Sequence, residues 1–243
     1  MDIIEENKTR MAHLSENSAE LAKQLEALNW NEFKSALNEC IFQKEEANLP
    51  AEYGPASYFP LVPENAQQKK LYDKAFKHGE VLIRSGKTAA FTVAGGQGTR
   101  LGYDGPKGTL PVSSIKKKTL FQLFAEQILG ISQQYEVTIP WYIMCSPLNL
   151  EATTIHFEEN NYYGLGKENL KFFAQGVIPA TDFQGNLLRA SQDSLALSPN
   201  GHGGSLKALI DSGSITDMAE RGIEPVSYTH LRAHETDSYL VCR

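Results

Sequence analysis

The sequence predicts an α/β protein, a parallel sheet with helices on both faces, preceded by a helical region. Three observations carry this. From residue 88 onward, short apolar runs alternate with amphipathic ones, the pattern that stacks parallel strands between two helical layers. The first 45 residues carry leucines at helical spacing instead. A glycine-rich run follows the first apolar strand directly, and glycines there let the backbone pass close to a ligand.

In order along the chain, LSENSAELAKQLEALNW puts Leu14, Leu21, Leu25 and Leu28 near one helical face. Ser15 or Ser18 stands where a cap is wanted. A second helical piece is expected over residues 30–42. NLPAEYGPASYFPLVPEN carries four of the chain's 11 prolines and reads as extended linker. Pro63, Glu64 and Asn65 open a further helix, about residues 66–85, that Gly86 caps. Residues 88–94 (TAAFTVA) are a strand, 120–130 an amphipathic helix, 138–145 (TIPWYIMC) a buried strand. Residues 150–160 are a helix, 170–173 a short strand, and 204–221 a helix. The expected division is a helical region over 1–87, a sheet-bearing domain over 88–225, and a tail over 226–243.

The 243 residues are 41% hydrophobic and 21% charged, ordinary for a globular protein with a sizeable core. A net charge of -6 without a long basic run argues against nucleic acid as a partner. An acidic protein can still hold phosphate, because backbone N–H groups and two or three cations do that work locally. Cys40, Cys145 and Cys242 show no CxxC spacing and no even set, so neither a disulfide framework nor a zinc site is indicated. The N-terminal MDIIEENKTR lacks the apolar core of a secretory signal. No apolar run approaches the ~18 residues of a membrane span. The expected compartment is the cytoplasm, with no membrane partner.

Val226-Ser-Tyr-Thr-His-Leu-Arg-Ala-His-Glu-Thr236 resembles a translated sequencing-library adapter, in which GTC TCT TAT ACA CAT CTC reads Val-Ser-Tyr-Thr-His-Leu. Residues 226–243 are therefore set aside from fold reasoning. His230 and His234 have the i, i+4 spacing of metal ligands on a helix, but both fall in this segment, as does Cys242. The native chain is expected to have continued past Pro225.

The loop itself reads Val93-Ala94-Gly95-Gly96-Gln97-Gly98-Thr99-Arg100-Leu101-Gly102. Arg100 adds a guanidinium suited to phosphate oxygens. Lys107, after the stiffening Pro106, supplies a second positive charge. Together they suit charge stabilisation in phosphoryl transfer without a covalent nucleophile. Three phosphate-loop patterns compete. A dinucleotide fingerprint counted from Gly96 needs glycine where Leu101 stands. Walker A needs glycine where Val81 stands before Gly86-Lys87-Thr88, and that tripeptide precedes a strand instead of following one. Gly-Gly-x-Gly-Thr-Arg-Leu followed by Pro-Lys fits throughout.

With that pattern, AGGQGTRLGYDGPKGTLPV resembles the signature of eukaryotic-type UDP-sugar pyrophosphorylases, especially the UDP-N-acetylhexosamine branch. IPWYIMCSPLNLEATTIHFEENNYYGLGKENLKFFAQGVIPATDFQGNLL and SPNGHGGSLKAL resemble the family's following segments. The resemblance covers about residues 67–223. It implies a Rossmann-like nucleotidyltransferase fold (GT-A-like) with a mixed sheet, incomplete here. It implies a uridylyltransferase that joins UTP to a hexose or N-acetylhexosamine 1-phosphate, releasing pyrophosphate.

By the same resemblance, the backbone at Ala94, Gly95, Gly96 and Gly98 holds the uracil and ribose end of UTP. Arg100 and Lys107 face the triphosphate. Gln175 matches the glutamine that pairs with the uracil edge, and an amide does offer both donor and acceptor. Gly201 and His202 match the loop lining nucleotide and sugar. The N-acetylhexosamine enzymes usually place Asn where His202 stands, and glucose-1-phosphate and broad-specificity relatives usually have His, so the sugar stays open. The family's Mg²⁺ bridges the phosphates, held by an aspartate on a strand shortly after Gly222-Ile223. That strand would fall in the adapter-like segment, so no metal ligand is expected in this chain. The competing readings are an inactive fragment that only binds uridine nucleotide, and an NAD-dependent oxidoreductase, which the late glycine disfavours.

Overall fold

Short polar side chains start most of the helices in the computed structural model, which describes residues 2–42, 52, 54–55, 58–224 and 226–230. Helix α1 (Ile3–Ser15) is capped by Asp2, α2 (Ala19–Glu26) by Ser18, and α3 (Trp30–Leu37) by Asn29. A π-helical turn, Asn38–Phe42, extends α3. Each cap accepts a first-turn N–H that no helical carbonyl can reach. Helix α4 (Ala66–Arg84) starts at Asn65, whose side chain accepts from the Gln68 N–H. It ends with Gly86 N–H on the Ile83 carbonyl and Lys87 N–H on that of Leu82, a Schellman closure.

Strand β1 (Ala89–Val93) follows, then α5 (Leu120–Tyr135), β2 (Trp141–Cys145), α6 (Pro147–Glu159) and β3 (Leu170–Ala174). Two short strands, β4 (Val177–Pro179) and β5 (Leu197–Pro199), precede α7 (Ser205–Asp211), α8 (Ser214–Glu220) and β6 (Val226–His230). The expected helix over 204–221 is thus two helices. Gly213, at φ 67°, takes the left-handed conformation that ends α7 and starts α8 at no steric cost.

The chain divides into two compact units, one of residues 1–59 and 177–200, the other of 60–176 and 201–243. Helix α4 belongs to the same unit as the parallel sheet, and segment 177–200 to the same unit as the N-terminal helices.

In the second unit, four parallel strands lie in the order β3-β2-β1-β6. The alternation of side chains sorts the strands' residues into two cores. Ala94, Trp141, Ile143 and Cys145 pack with Leu120, Phe121, Ala125 and Ile128 of α5 and Phe157 of α6. Ala89, Phe91, Val93, Tyr142, Met144 and Phe173 pack with Ala208 and Leu209 of α7 and Met218 of α8. Helices do cover both faces of the sheet. Residues 226–230, set aside in the sequence reading, form β6, paired along all of β1. Val-Ser-Tyr-Thr-His is rich in residues that favour strands. His234 and Cys242 lie outside the described residues.

In the first unit, Leu21 is fully buried with Ile4, Met11, Phe33, Leu37, Leu187 and Leu195, and Leu14, Leu25 and Leu28 pack against them. The leucine face read from the sequence is real, although it is shared by two helices that Ser18 separates. Buried Asn7 ties the helices to segment 177–200. Its Nδ2 donates to the Ile3 and Gly185 carbonyls at 3.0 and 2.9 Å, and its Oδ1 accepts from the Leu187 N–H at 2.8 Å.

Candidate functional site

The site grows from the carboxyl end of the central strand. Ala94 is still bonded into the sheet, its N–H donating to the Met144 carbonyl at 2.7 Å. At Gly95 the chain leaves the sheet and folds back on itself. Gly98 N–H donates to the Gly105 carbonyl at 2.9 Å, and Lys107 N–H to that of Gly96 at 3.0 Å. Gln97 and Pro106 form an antiparallel bridge. These bonds bring Lys107 beside Gly96, eleven residues earlier. Lys107 sits on a 3₁₀ turn (Lys107–Thr109) and is only 7% exposed. Arg100, on the turn Thr99–Leu101, is exposed at the rim.

The neighbouring strands end at the same place. After β3 the Gln175 N–H donates to the Cys145 carbonyl at 2.7 Å, so Gln175 is carried along beside β2. Its side chain is buried against Gly95, where an added Cβ would meet Nε2 at 3.0 Å and Cδ at 3.2 Å. Any side chain at Gly95 would therefore push the amide away. After β2, α6 begins at Ser146-Pro147 and presents Asn149, which is fully buried. Asn149 Nδ2 donates to the Gly95 and Gly96 carbonyls at 3.0 and 3.1 Å, and its Oδ1 accepts from Gln97 Nε2. The sequence reading missed Asn149. An isolated Asn in a first helical turn signals capping, and nothing in the sequence places it against a loop fifty residues away.

Cys145, the last residue of β2, is buried in the same layer, and burial pushes its thiol up to about 12. A thiol kept protonated is no nucleophile.

Gly201 is exposed, at φ 68°, on the turn that leads into α7. Its carbonyl accepts from the Gly204 N–H at 3.3 Å. The backbone of His202 lies on a 3₁₀ turn, His202–Gly204, and its side chain lies outside the described residues. The structure therefore joins Ala94, Gly95, Gly96, Gly98, Lys107 and Gln175 in one bonded neighbourhood. Gly201 and His202 belong to a separate turn on the α7 side of the sheet.

Chain order explains the location. From β1 the strands run to one side through β2 and β3, and β6 then lies on the other side of β1. The glycine loop leaves at this reversal, and open parallel sheets bind ligands outside the carboxyl ends of their strands at such a point. Among the described residues, no group of three His, Cys, Asp or Glu side chains is placed to hold a metal. No helix among them is long and apolar enough to cross a membrane.

A glycine loop at the reversal of a parallel α/β sheet, flanked by a buried lysine and a buried amide, defines a nucleotidyltransferase-like α/β protein. Residues 30–231 match the family model described as UTP–glucose-1-phosphate uridylyltransferase, and the chain belongs to that family. It is 38% identical to the UDP-N-acetylglucosamine pyrophosphorylase of Saccharomyces cerevisiae over 71% of this chain and 36% of that protein. The crystal structure of the Trypanosoma brucei uridine diphosphate N-acetylglucosamine pyrophosphorylase, solved with an inhibitor, is similar at TM-score 0.61 and 26% identity. That similarity covers 68% of this chain and 36% of that one. A UDP-glucose pyrophosphorylase from Leishmania major, solved with UDP-glucose, shares the fold at TM-score 0.52 and 20% identity, over 60% of this chain and 31% of that one. The chain spans 43%, 36% and 46% of the length of three curated relatives it matches.

Proposed function

We propose that this chain carries the UTP-binding part of a uridylyltransferase that makes UDP-sugar and pyrophosphate from UTP and a sugar 1-phosphate in the cytoplasm. The observation that supports it best is the buried Gln175 amide lying against the backbone of Gly95. An amide offers one acceptor and two donors, which suits the uracil edge, with its own donor flanked by two carbonyl acceptors. Glycine backbone alongside leaves room for a flat ring.

In this reading the base lies along the Gly95–Gly96 backbone with its edge toward the Gln175 amide, and the triphosphate runs out past Lys107 toward Arg100. A sugar-phosphate oxygen attacks the α-phosphorus in line. The new P–O bond forms as the bond to the β-phosphate bridging oxygen breaks, and pyrophosphate leaves with that bond's electrons. Lys107 and Arg100 offset the negative charge and hold the chain of phosphates in one geometry. Mg²⁺ belongs to the proposal as a companion of the triphosphate, since a hard cation takes phosphate oxygens. Asp104 is the one carboxylate in the loop, and no group of three His, Cys, Asp or Glu placed to hold a metal stands among the described residues, which does not fit a resident Mg²⁺, and no step here depends on the ion. Gly201 and His202 are proposed to line the sugar side, with glucose, N-acetylglucosamine and galactose 1-phosphates as candidates.

The test is titration of the chain with UTP, CTP, ATP and NADH, followed by pyrophosphate release with UTP, MgCl₂ and each sugar 1-phosphate. UTP binding in preference to ATP, with release for one of the sugars, supports the proposal. UTP binding without release supports the nucleotide-binding reading alone. No UTP binding, or NADH binding instead, would sink it. Arg100→Ala is expected to weaken UTP binding by about tenfold or more while UMP binding is kept, since a hydrogen bond to a charged group is worth ~1.5–3 kcal/mol.

A further inference from the structure

Resting on the UTP reading above, we infer that Asn149 is a positioning residue that sets base selectivity: its carboxamide clamps the glycine loop, and the clamped Gly95 sets where the Gln175 amide stands. Asn149 never meets the nucleotide in this arrangement. It acts through three consecutive loop residues.

The carboxamide is fully buried, where each unpaired polar atom would be costly. Its bonds go to the loop, to the Gly95 and Gly96 carbonyls at 3.0 and 3.1 Å and from Gln97 Nε2. A residue placed only to start α6 would accept an N–H of its own first turn. Within α6, the contribution of Asn149 is its backbone N–H, on the Ser146 carbonyl at 3.0 Å. The side chain is left for the loop.

Gly95 and Gly96 have no side chains by which packing could hold them, and glycine samples more backbone conformations than any other residue. The loop's own backbone bonds reach back as far as the Gly96 carbonyl, which accepts from the Lys107 N–H at 3.0 Å. Asn149 adds a side-chain hold at both glycines, and Gly95, the one nearest the strand, lies beside Gln175. At Gly95 the fit is close enough that a Cβ would stand 3.0 Å from Gln175 Nε2. The Gly95 backbone therefore forms one wall beside the amide that reads the base edge, and holding Gly95 holds that wall.

Asn149→Asp keeps the shape and reverses the polarity, setting an acceptor against two carbonyl oxygens. Asn149→Ala removes the clamp altogether. Gln97→Ala removes one of its three bonds from an exposed residue and serves if the other two fail to fold. Three quantities are read on the full chain: the UTP-to-CTP affinity ratio by titration, amide hydrogen exchange, and the melting temperature. CTP is the chosen competitor because it differs from UTP only on the edge that Gln175 faces.

For Asn149→Asp the ratio is expected to fall at least about fivefold, one kcal/mol or so of discrimination. Amides of Gly98 and Lys107 should exchange at least about tenfold faster while those of Phe91 and Val93 in β1 keep their protection. Gln97→Ala should move both in the same direction by less. An unchanged UTP-to-CTP ratio overturns the inference even if the loop loosens, since the clamp would then be structural only. Unchanged exchange at Gly98 and Lys107 overturns it whatever the nucleotides do. A wild-type chain that binds no UTP rejects the function proposed above and the selectivity inference with it, and is told apart from the clamp's own failure because the exchange measurement needs no ligand.

Discussion

At the scale of single residues, Gln175 and Gly108 separate binding from stability. Gln175 is 6% exposed and lies on Gly95, outside the aromatic core. Gln175→Leu keeps the volume and removes the amide's donor and acceptor. UTP affinity should fall by ~1–3 kcal/mol, the range for leaving a buried partner unmatched, with melting within about 2 °C of wild type. Titration and calorimetry on the same sample check both. Gly108 is the converse case. A Cβ there would stand 2.2 Å from Phe121 ring atoms, and Phe121 is fully buried, with ring centroids 5.0 Å from Phe157 and 6.4 Å from Trp141. Gly108→Ala should cost ~1–3 kcal/mol through overpacking, read as a lower melting temperature. Gln175 was legible in the sequence only through the family resemblance of its flanks. Asn149 was not legible at all, because its partners are backbone atoms that the sequence does not mark.

At the scale of elements, the aromatic end of α6 is the place where pH should act. His156 is half-buried, and burial holds its pKa below the ordinary 6.5, with the Glu159 charge partly opposing. Tyr163 faces it, hydroxyl to Nε2 at 2.6 Å, and Phe121 and Phe157 lie alongside. A depressed histidine stays neutral in the fold while the unfolded chain protonates. Its contribution is therefore whole above pH 6.5 and is lost as pH falls below 6.5 toward the folded pKa. His156→Gln should show a smaller drop in melting temperature between about pH 7.5 and about pH 5 than wild type. Equal drops would refute this. Periodicity made most of these elements legible: β1, α5, β2 and β3 lie where the apolar runs put them. It merged α7 with α8 because a glycine's positive φ leaves no trace in hydrophobic spacing. It also passed over β4 and β5, whose three residues each are too few to show a period.

At the scale of the molecule, the first unit is assembled from both sides of the sequence, and Asn7 is where the two parts meet. Asn7→Leu leaves the Leu187 N–H and Gly185 carbonyl without their partner inside a buried core, at ~1–3 kcal/mol for each group. Hydrogen exchange should quicken in α1, α2 and around Leu187, with β1, β2 and β3 unaffected. Loss of protection in the sheet as well would show that the two units do not melt separately. The joining of residues 1–59 to 177–200 was not legible beforehand, because Leu187 and Leu195 sit in a polar, loop-like stretch without periodicity.

The sheet's strand order also has a consequence for how the chain is made. β1 gains β2 as a neighbour early, but its other neighbour, β6, lies more than half the chain further on. Pairings of such separation close late and slowly. Until residues 226–230 leave the ribosome, AAFTV keeps a bare edge of unpaired N–H and C=O groups. Such an edge can template pairing with another copy. The strand that launches the glycine loop is thus also an exposed edge during synthesis.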